Sequence, residues 1–166
     1  MSTTNMNTRN GSILPSSERL NVALTVLRVV VGVTFIAHGV QKLFLFGLDG
    51  VAQGMAQAGV PLAAVTAPAV SFVELLAGAA IVAGLLTRLA AAGLGVIMVG
   101  AILFVHFTAG FYLPNGYEFA LVLLATLVTL ILTGPGAYSI DARFAARGTG
   151  REGERSHIRH AERSAT

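Results

Sequence analysis

The sequence predicts an all-α fold, an integral membrane four-helix bundle with both termini in the cytoplasm. Its composition is 54% hydrophobic and only 11% charged, whereas an ordinary soluble domain has roughly 25% charged residues. A soluble protein of 166 residues cannot bury so much apolar surface, because small domains bury only about two-thirds of theirs. The apolar residues also fall into long segments of the kind that cross a lipid bilayer as helices.

Helix-breaking or polar residues separate the apolar segments from one another. We expect helices at about residues 21–46, 62–86, 89–108 and 117–133. Residues 47–61 are rich in glycine and glutamine and are expected to form a loop, while Thr87 and Arg88 separate the second segment from the third. Each segment has at least about 17 residues, enough to cross a hydrocarbon core of ~30 Å at 1.5 Å per residue.

Polar tails flank this predicted membrane domain of residues 21–144. Residues 1–20 are expected to form a disordered cytoplasmic tail, and residues 145–166 a basic cytoplasmic tail. Arginine recurs at every fourth position from Arg143 to Arg163. This spacing suits binding to anionic lipid headgroups or to an acidic partner, and it also suits a solvated tail. Basic charge confined to a tail does not indicate a nucleic-acid-binding fold.

The positions of the basic residues predict the orientation of the helices. Arg9 and Arg19 precede the first helix, Arg88 lies between the second and third, and the tail arginines follow the fourth. Loops rich in lysine and arginine stay in the cytoplasm. We therefore expect both termini and the Arg88 turn on the cytoplasmic side of the cell membrane.

Ionisable residues inside the apolar segments are the candidate site residues: His38, Lys42, Glu74, His106 and Glu118. A charge at mid-bilayer costs at least ~2.5 kcal/mol, so such residues usually face partners inside the bundle. The expected topology puts all five in the outer half of the membrane. Because His38 and Lys42 are four residues apart, they lie on one helix face. Pairing of Lys42 with Glu118 or Glu74 would ease the burial of both charges.

Each candidate also has a simpler interpretation. Lys42 and Glu118 lie near helix ends, where they can extend their charges to water. The two histidines can be polar residues that hydrogen-bond between helices. Arg28 either extends toward the cytoplasm or pairs with Glu74. Close packing of helices is predicted at the glycine pairs Gly32 with Gly39, Gly78 with Gly84, and Gly93 with Gly100.

These residues form an ordered pattern. It consists of Arg28-x3-Gly32-x5-His38-Gly39-x2-Lys42, Glu74-x3-Gly78, Gly84-Leu85-Leu86-Thr87-Arg88, His106, Glu118, and Gly134-Pro135-Gly136-x2-Ser139-x-Asp141. The pattern resembles the DoxX family of small bacterial membrane proteins over about residues 20–144. That family is similar to the membrane subunit of a thiosulfate:quinone oxidoreductase, and its members are linked to sulfur metabolism and oxidative-stress defence.

The resemblance implies a multi-pass protein of the bacterial inner membrane that serves as the membrane subunit of a quinone-linked oxidoreductase. A quinone is the cofactor that the resemblance implies. The chain has no cysteine and no haem-attachment or Rossmann motif, so a bound quinone or a partner would have to carry any electrons. His38 and His106 would hydrogen-bond the quinone carbonyls, Lys42 and Glu118 would lie beside the headgroup, and Glu74 or Glu118 would relay protons. No metal site is predicted. A soluble oxidoreductase, a sulfurtransferase or a second copy of the chain is the implied partner.

Two functions of other classes remain open at this point. The helices could serve as a membrane anchor or assembly factor for a soluble partner enzyme, with the buried charges holding the bundle together. Alternatively, the intramembrane acid and histidines suit transport of a proton or a small solute, which four helices would perform as an oligomer. Haem ligation by His38 and His106 is a minor variant of the oxidoreductase hypothesis.

Overall fold

The computed structural model describes residues 15–147, which form helices joined by short turns, with no strand among them. The helices are α1 Ser16–Val40, α2 Gly47–Gln57, α3 Ala63–Ala83, α4 Thr87–Gly100, α5 Glu118–Thr133 and α6 at residues 140–147. A π-helical turn, Gln41–Phe46, joins α1 to α2, and a second one, Ala101–His106, extends α4 before a short 3-10 turn, Phe107–Ala109.

Three helical segments of the described chain are long and apolar enough to cross a membrane: Ser16–Gln57, Ala63–Ala83 and Thr87–Ala109. The helix α5 is equally apolar but has 16 residues, or about 24 Å at 1.5 Å per residue. The predicted all-α class with four apolar helices is confirmed. The orientation of the termini stays a prediction, and residues 1–14 and 148–166 of the two tails lie outside the described residues.

Two elements begin earlier than expected. The helix α1 starts at Ser16, so residues 16–20 belong to it rather than to the N-terminal tail. It follows Pro15, and Glu18 in its first turn is favourable near the positive end of the helix dipole. Thr87 and Arg88 do not interrupt the helices but form the first turn of α4.

The expected loop at residues 47–61 is wrong for most of its length, because Gly47–Gln57 is helical. Glycine is a poor helix former, and three glycines in eleven residues indicated a loop. The helix forms because it packs against α3 and buries Val51. Glycines with positive φ, Gly47 at 69° and Gly59 at 77°, lie at its two ends.

The helices α1 and α3 approach so closely that their backbones touch at glycine positions. A Cβ atom at Gly78 would lie 2.8 Å from the carbonyl oxygen of Gly32, and one at Gly39 would lie 2.7 Å from the backbone nitrogen of Leu75. Gly93 and Gly100 differ from the prediction, because a Cβ atom at either would meet nothing within 4 Å. Gly84 ends α3 in a left-handed conformation with φ of 68°.

Arg28 fastens one end of the bundle, called here the Arg28 end. Its guanidinium is buried and donates hydrogen bonds of 2.6 Å to the carbonyl oxygens of Pro135 and Tyr138, in the segment after α5. It does not pair with Glu74 and does not extend to water, so both interpretations of Arg28 from the sequence are wrong. A buried cation is tolerable here because oriented carbonyl dipoles replace its water.

Asp141 joins the chain after α5 to the turn between α3 and α4. Its carboxylate accepts hydrogen bonds from the backbone N–H groups of Leu86 at 2.8 Å and Thr87 at 3.0 Å. Burial raises the pKa of Asp141, but these backbone hydrogen bonds and the charge of Arg28 outweigh burial, so the pKa lies below its usual value. The carboxylate therefore stays ionised at neutral pH and caps the start of α4.

Candidate functional site

A cavity of about 820 Å³ lies at the end of the bundle opposite Arg28. Its walls come from α1 and α3 on one side and from α4 and α5 on the other, and α2 and the loop at residues 110–117 contribute the rest of the lining. Most of the lining is apolar, and it includes Phe35, Val70, Met98 and Leu123. We call this space the bundle cavity.

Four of the five predicted site residues line the bundle cavity: His38, Lys42, Glu74 and His106. They come from three separated parts of the chain, α1 with its π turn, α3, and the π turn after α4. Glu118 does not belong to the lining. The structure thus brings together most of the polar groups that the sequence indicated.

Lys42 and Glu74 form an ion pair in the wall of the cavity. The Lys42 Nζ lies 2.5 Å from Glu74 Oε2. The Glu74 side chain is 3% exposed and the Lys42 side chain 22%. An isolated buried carboxylate would carry a large desolvation penalty. Lys42 offsets that penalty, and the pair adds no net charge to the apolar surroundings.

His38 lies on α1 one turn before Lys42, as their spacing predicts. Its ring lies near that of Phe119 on α5, with the two centroids 6.4 Å apart and the planes inclined by 49°. Within residues 15–147, its ring nitrogens make no hydrogen bond. His38 is half-buried, so a ligand in the cavity can reach those nitrogens.

His106 is the last residue of the second π turn, and a backbone group holds its ring. The Nδ1 atom lies 2.8 Å from the carbonyl oxygen of Asn115 in the loop before α5. The ring is half-buried and lines the cavity. Because Asn115 contributes main chain only, no side-chain pattern in the sequence indicated this contact.

Glu118 has a structural partner instead of Lys42. Its Oε1 accepts a hydrogen bond of 2.7 Å from the backbone nitrogen of Leu113. This contact closes the loop at residues 110–117 against the start of α5. Of the two expected partners of Lys42, Glu118 is therefore the wrong one, because Lys42 pairs with Glu74 and the loop uses the Glu118 carboxylate.

Sequence reasoning missed the lining residues of α2, which include Gly50 and Gly54. A Cβ atom at either glycine would meet nothing within 4 Å. Their spacing of four places them on one helix face, and this was the available signal. It was overlooked because the segment was expected to be a loop.

Comparison with known proteins identifies relatives that match most of the chain. The family model described as DoxX matches residues 23–107. An uncharacterized membrane protein of Mycobacterium tuberculosis is 34% identical over 84% of this chain and 94% of its own length. A Bacillus subtilis protein with the name "Putative oxidoreductase CatD" is 30% identical over 75% of this chain and 89% of its own. No solved structure matches.

Proposed function

The chain belongs to the DoxX family of multi-pass membrane proteins, and on that premise we propose that it is the membrane subunit of a quinone-linked oxidoreductase. The bundle cavity is the proposed quinone site. The name of the Bacillus subtilis relative is in keeping with an oxidoreductase function. The observation that carries the proposal is the meeting of His38, Lys42, Glu74 and His106 in one apolar cavity.

The chemistry of the lining suits a lipophilic molecule with a polar ring. Its volume of about 820 Å³ falls within the range of about 300–1,000 Å³ typical of small-molecule pockets. Apolar walls with a few polar groups bind such ligands and fix their orientation. A bound quinone would supply the electron transfer that the side chains of this protein cannot provide.

Specific residues have distinct proposed roles around the ring. His38 and His106 present ring nitrogens to the oxygen atoms of the headgroup, and Phe119 packs beside His38. The Lys42–Glu74 pair lies within the lining and can hold or release a proton near those oxygens. Glu118 positions the loop that carries the Asn115 carbonyl and is not itself a ligand in this proposal.

We expect Gly100→Leu to weaken quinone binding at least about tenfold, which corresponds to about 1.4 kcal/mol. Gly100 lines the cavity and has open space beside it, so leucine occupies ligand volume without disturbing the bundle. The matched control is Gly93→Leu on the same helix, which also has open space but does not line the cavity. The measurement is the Kd for decylubiquinone and for a menaquinone analogue, with the full chain in detergent.

The outcomes of that titration separate the parts of the proposal. Tight binding by the wild type and by Gly93→Leu, with weak binding by Gly100→Leu, supports both the ligand class and the cavity. Equal binding by all three proteins would show that the quinone binds outside the bundle cavity. If the wild type binds neither quinone, the quinone-linked function is wrong, and anchoring of a soluble enzyme becomes the better explanation of the fold.

We also propose that the Arg28 end faces the cytoplasm of a bacterial cell, where a soluble oxidoreductase or sulfurtransferase partner would dock. Three arginines at this end are exposed: Arg88, Arg143 and Arg147. Because the chain has no cysteine, single cysteines report topology directly. A membrane-impermeant maleimide applied to intact spheroplasts should label Tyr112→Cys and leave Ala145→Cys unlabelled until lysis. The reverse pattern would contradict this orientation.

A further inference from the structure

The hydrogen bond of His106 determines which of its two nitrogens faces a ligand. A backbone carbonyl oxygen can only accept a hydrogen bond. The 2.8 Å contact with the carbonyl of Asn115 therefore requires a proton on Nδ1. A neutral imidazole carries one N–H group and one lone pair. In the neutral ring, Nε2 then holds the lone pair and acts as a hydrogen-bond acceptor.

The Asn115 carbonyl belongs to a loop that is fixed by several contacts. The backbone nitrogen of Gly116 donates to Tyr112 at 2.9 Å, that of Tyr117 donates to Gly110 at 3.0 Å, and Glu118 binds Leu113. A Cβ atom at Gly116 would lie 2.3 Å from the Tyr112 oxygen, so the loop needs glycine there. The rigid loop thus imposes the tautomer of His106. Functional histidines commonly have their tautomer set in this way, by a hydrogen bond from the ring nitrogen that does not contact the ligand.

An acceptor at Nε2 discriminates between the two redox forms of a quinone. The oxygens of an oxidised quinone only accept hydrogen bonds. They therefore cannot form a hydrogen bond with the Nε2 lone pair, which is also an acceptor. The hydroxyl group of the reduced form, a quinol, can donate to Nε2. We propose that His106 binds a hydroxyl of the ligand, so that the neutral site prefers the quinol to the quinone. This proposal differs from the expectation that His106 donates to a quinone carbonyl.

The other titratable groups around the cavity are His38 and Lys42 on α1 and its π turn, Glu74 on α3, and Glu118 at the start of α5. Lys42 and Glu74 bind each other, and Glu118 binds Leu113. His38 is the group that a control must separate from His106.

This inference rests on the proposed function, and a paired titration tests it separately. The probes are decylubiquinone and decylubiquinol, bound to the full chain in detergent under anaerobic conditions at pH 8. The reductant that maintains the quinol leaves the protein unchanged, because the chain has no disulfide. We expect the wild type at pH 8 to bind the quinol about five- to tenfold more tightly, as one hydrogen bond of about 1 kcal/mol or more predicts.

Variants assign the preference to one residue. His106→Phe should bind both forms with the quinone affinity of the wild type, while His38→Phe should keep the preference for the quinol. If His106→Phe does not fold, His106→Leu replaces it, since leucine is close to histidine in size and presents no hydrogen-bond acceptor. Binding of neither probe by the wild type contradicts the proposed function. Binding of both probes with equal affinity at pH 8, or a ratio that is lost in His38→Phe and kept in His106→Phe, overturns this inference alone.

Discussion

Gly78→Leu is expected to prevent stable assembly of the helical bundle. A single Cβ atom at this position would lie 2.8 Å from the Gly32 carbonyl oxygen and 3.0 Å from the Ile36 nitrogen. These are main-chain atoms of α1, so the clash can be relieved only by separating α1 from α3. Overpacking a tight site costs about 1–3 kcal/mol and occasionally more. We expect the upper end of that range, because small residues permit the close contact that drives helix association in lipid.

The measurement is the yield of monodisperse protein in detergent together with its thermal unfolding midpoint. Gly78→Ala should be intermediate between the wild type and Gly78→Leu, because it adds only the Cβ atom. Gly93→Leu is the matched control, since it makes the same substitution where no atom lies within 4 Å of the new Cβ. A Gly78→Leu variant as stable as Gly93→Leu would show that α1 and α3 are not in backbone contact.

Lys42→Met is expected to destabilise the protein by about 3–5 kcal/mol, because it leaves Glu74 buried without its cation. Glu74→Gln should cost less. The reason is that the Lys42 side chain is 22% exposed, against 3% for Glu74, so a stranded lysine can reach more polar surroundings. The two halves of the pair therefore have unequal effects although they make the same contact. The measurement is the unfolding midpoint of each single variant at neutral pH.

The double variant Lys42→Met/Glu74→Leu separates stability from function. Replacing a buried ion pair with apolar residues of similar size is often neutral or stabilising, so the double variant should recover most of the loss. If the pair handles protons during quinone chemistry, the recovered protein should bind quinone yet fail to support turnover. Full turnover in a stable double variant would leave the pair with a structural role only. A double variant less stable than Lys42→Met would contradict the proposed origin of the effect.

The sequence was sufficient for the parts of the site that depend on helical spacing and charge. His38 lies near the end of α1 and Lys42 in the π turn that continues it. Both line the bundle cavity, and Glu74 was one of two expected partners for Lys42. The alternative pairing of Lys42 with Glu118 does not form, because the Glu118 carboxylate binds a main-chain nitrogen whose position depends on the loop conformation. The same reason applies to Arg28, whose partners are the carbonyls of Pro135 and Tyr138. Main-chain groups leave no residue-specific pattern in a sequence.

The helix α2 was missed for a different reason. Local propensity opposed it, and tertiary packing of Val51 and of its face against α3 decided the outcome. Two of the three glycines that disfavoured the helix, Gly50 and Gly54, line the cavity and leave open space beside them. A segment that is a poor helix in isolation is thus well suited to line a ligand site.

The π turn at Ala101–His106 determines the direction in which the His106 side chain points. A π turn is equivalent to an α-helix that has gained one residue, and such turns are frequent at functional sites. Each residue of an α-helix advances the side-chain direction by about 100°. A homologue with one residue fewer in this turn would cross the bilayer equally well, but its histidine would point about 100° away from the direction of His106. Alignment gaps at this turn would therefore distinguish relatives that retain the site from those that share only the fold.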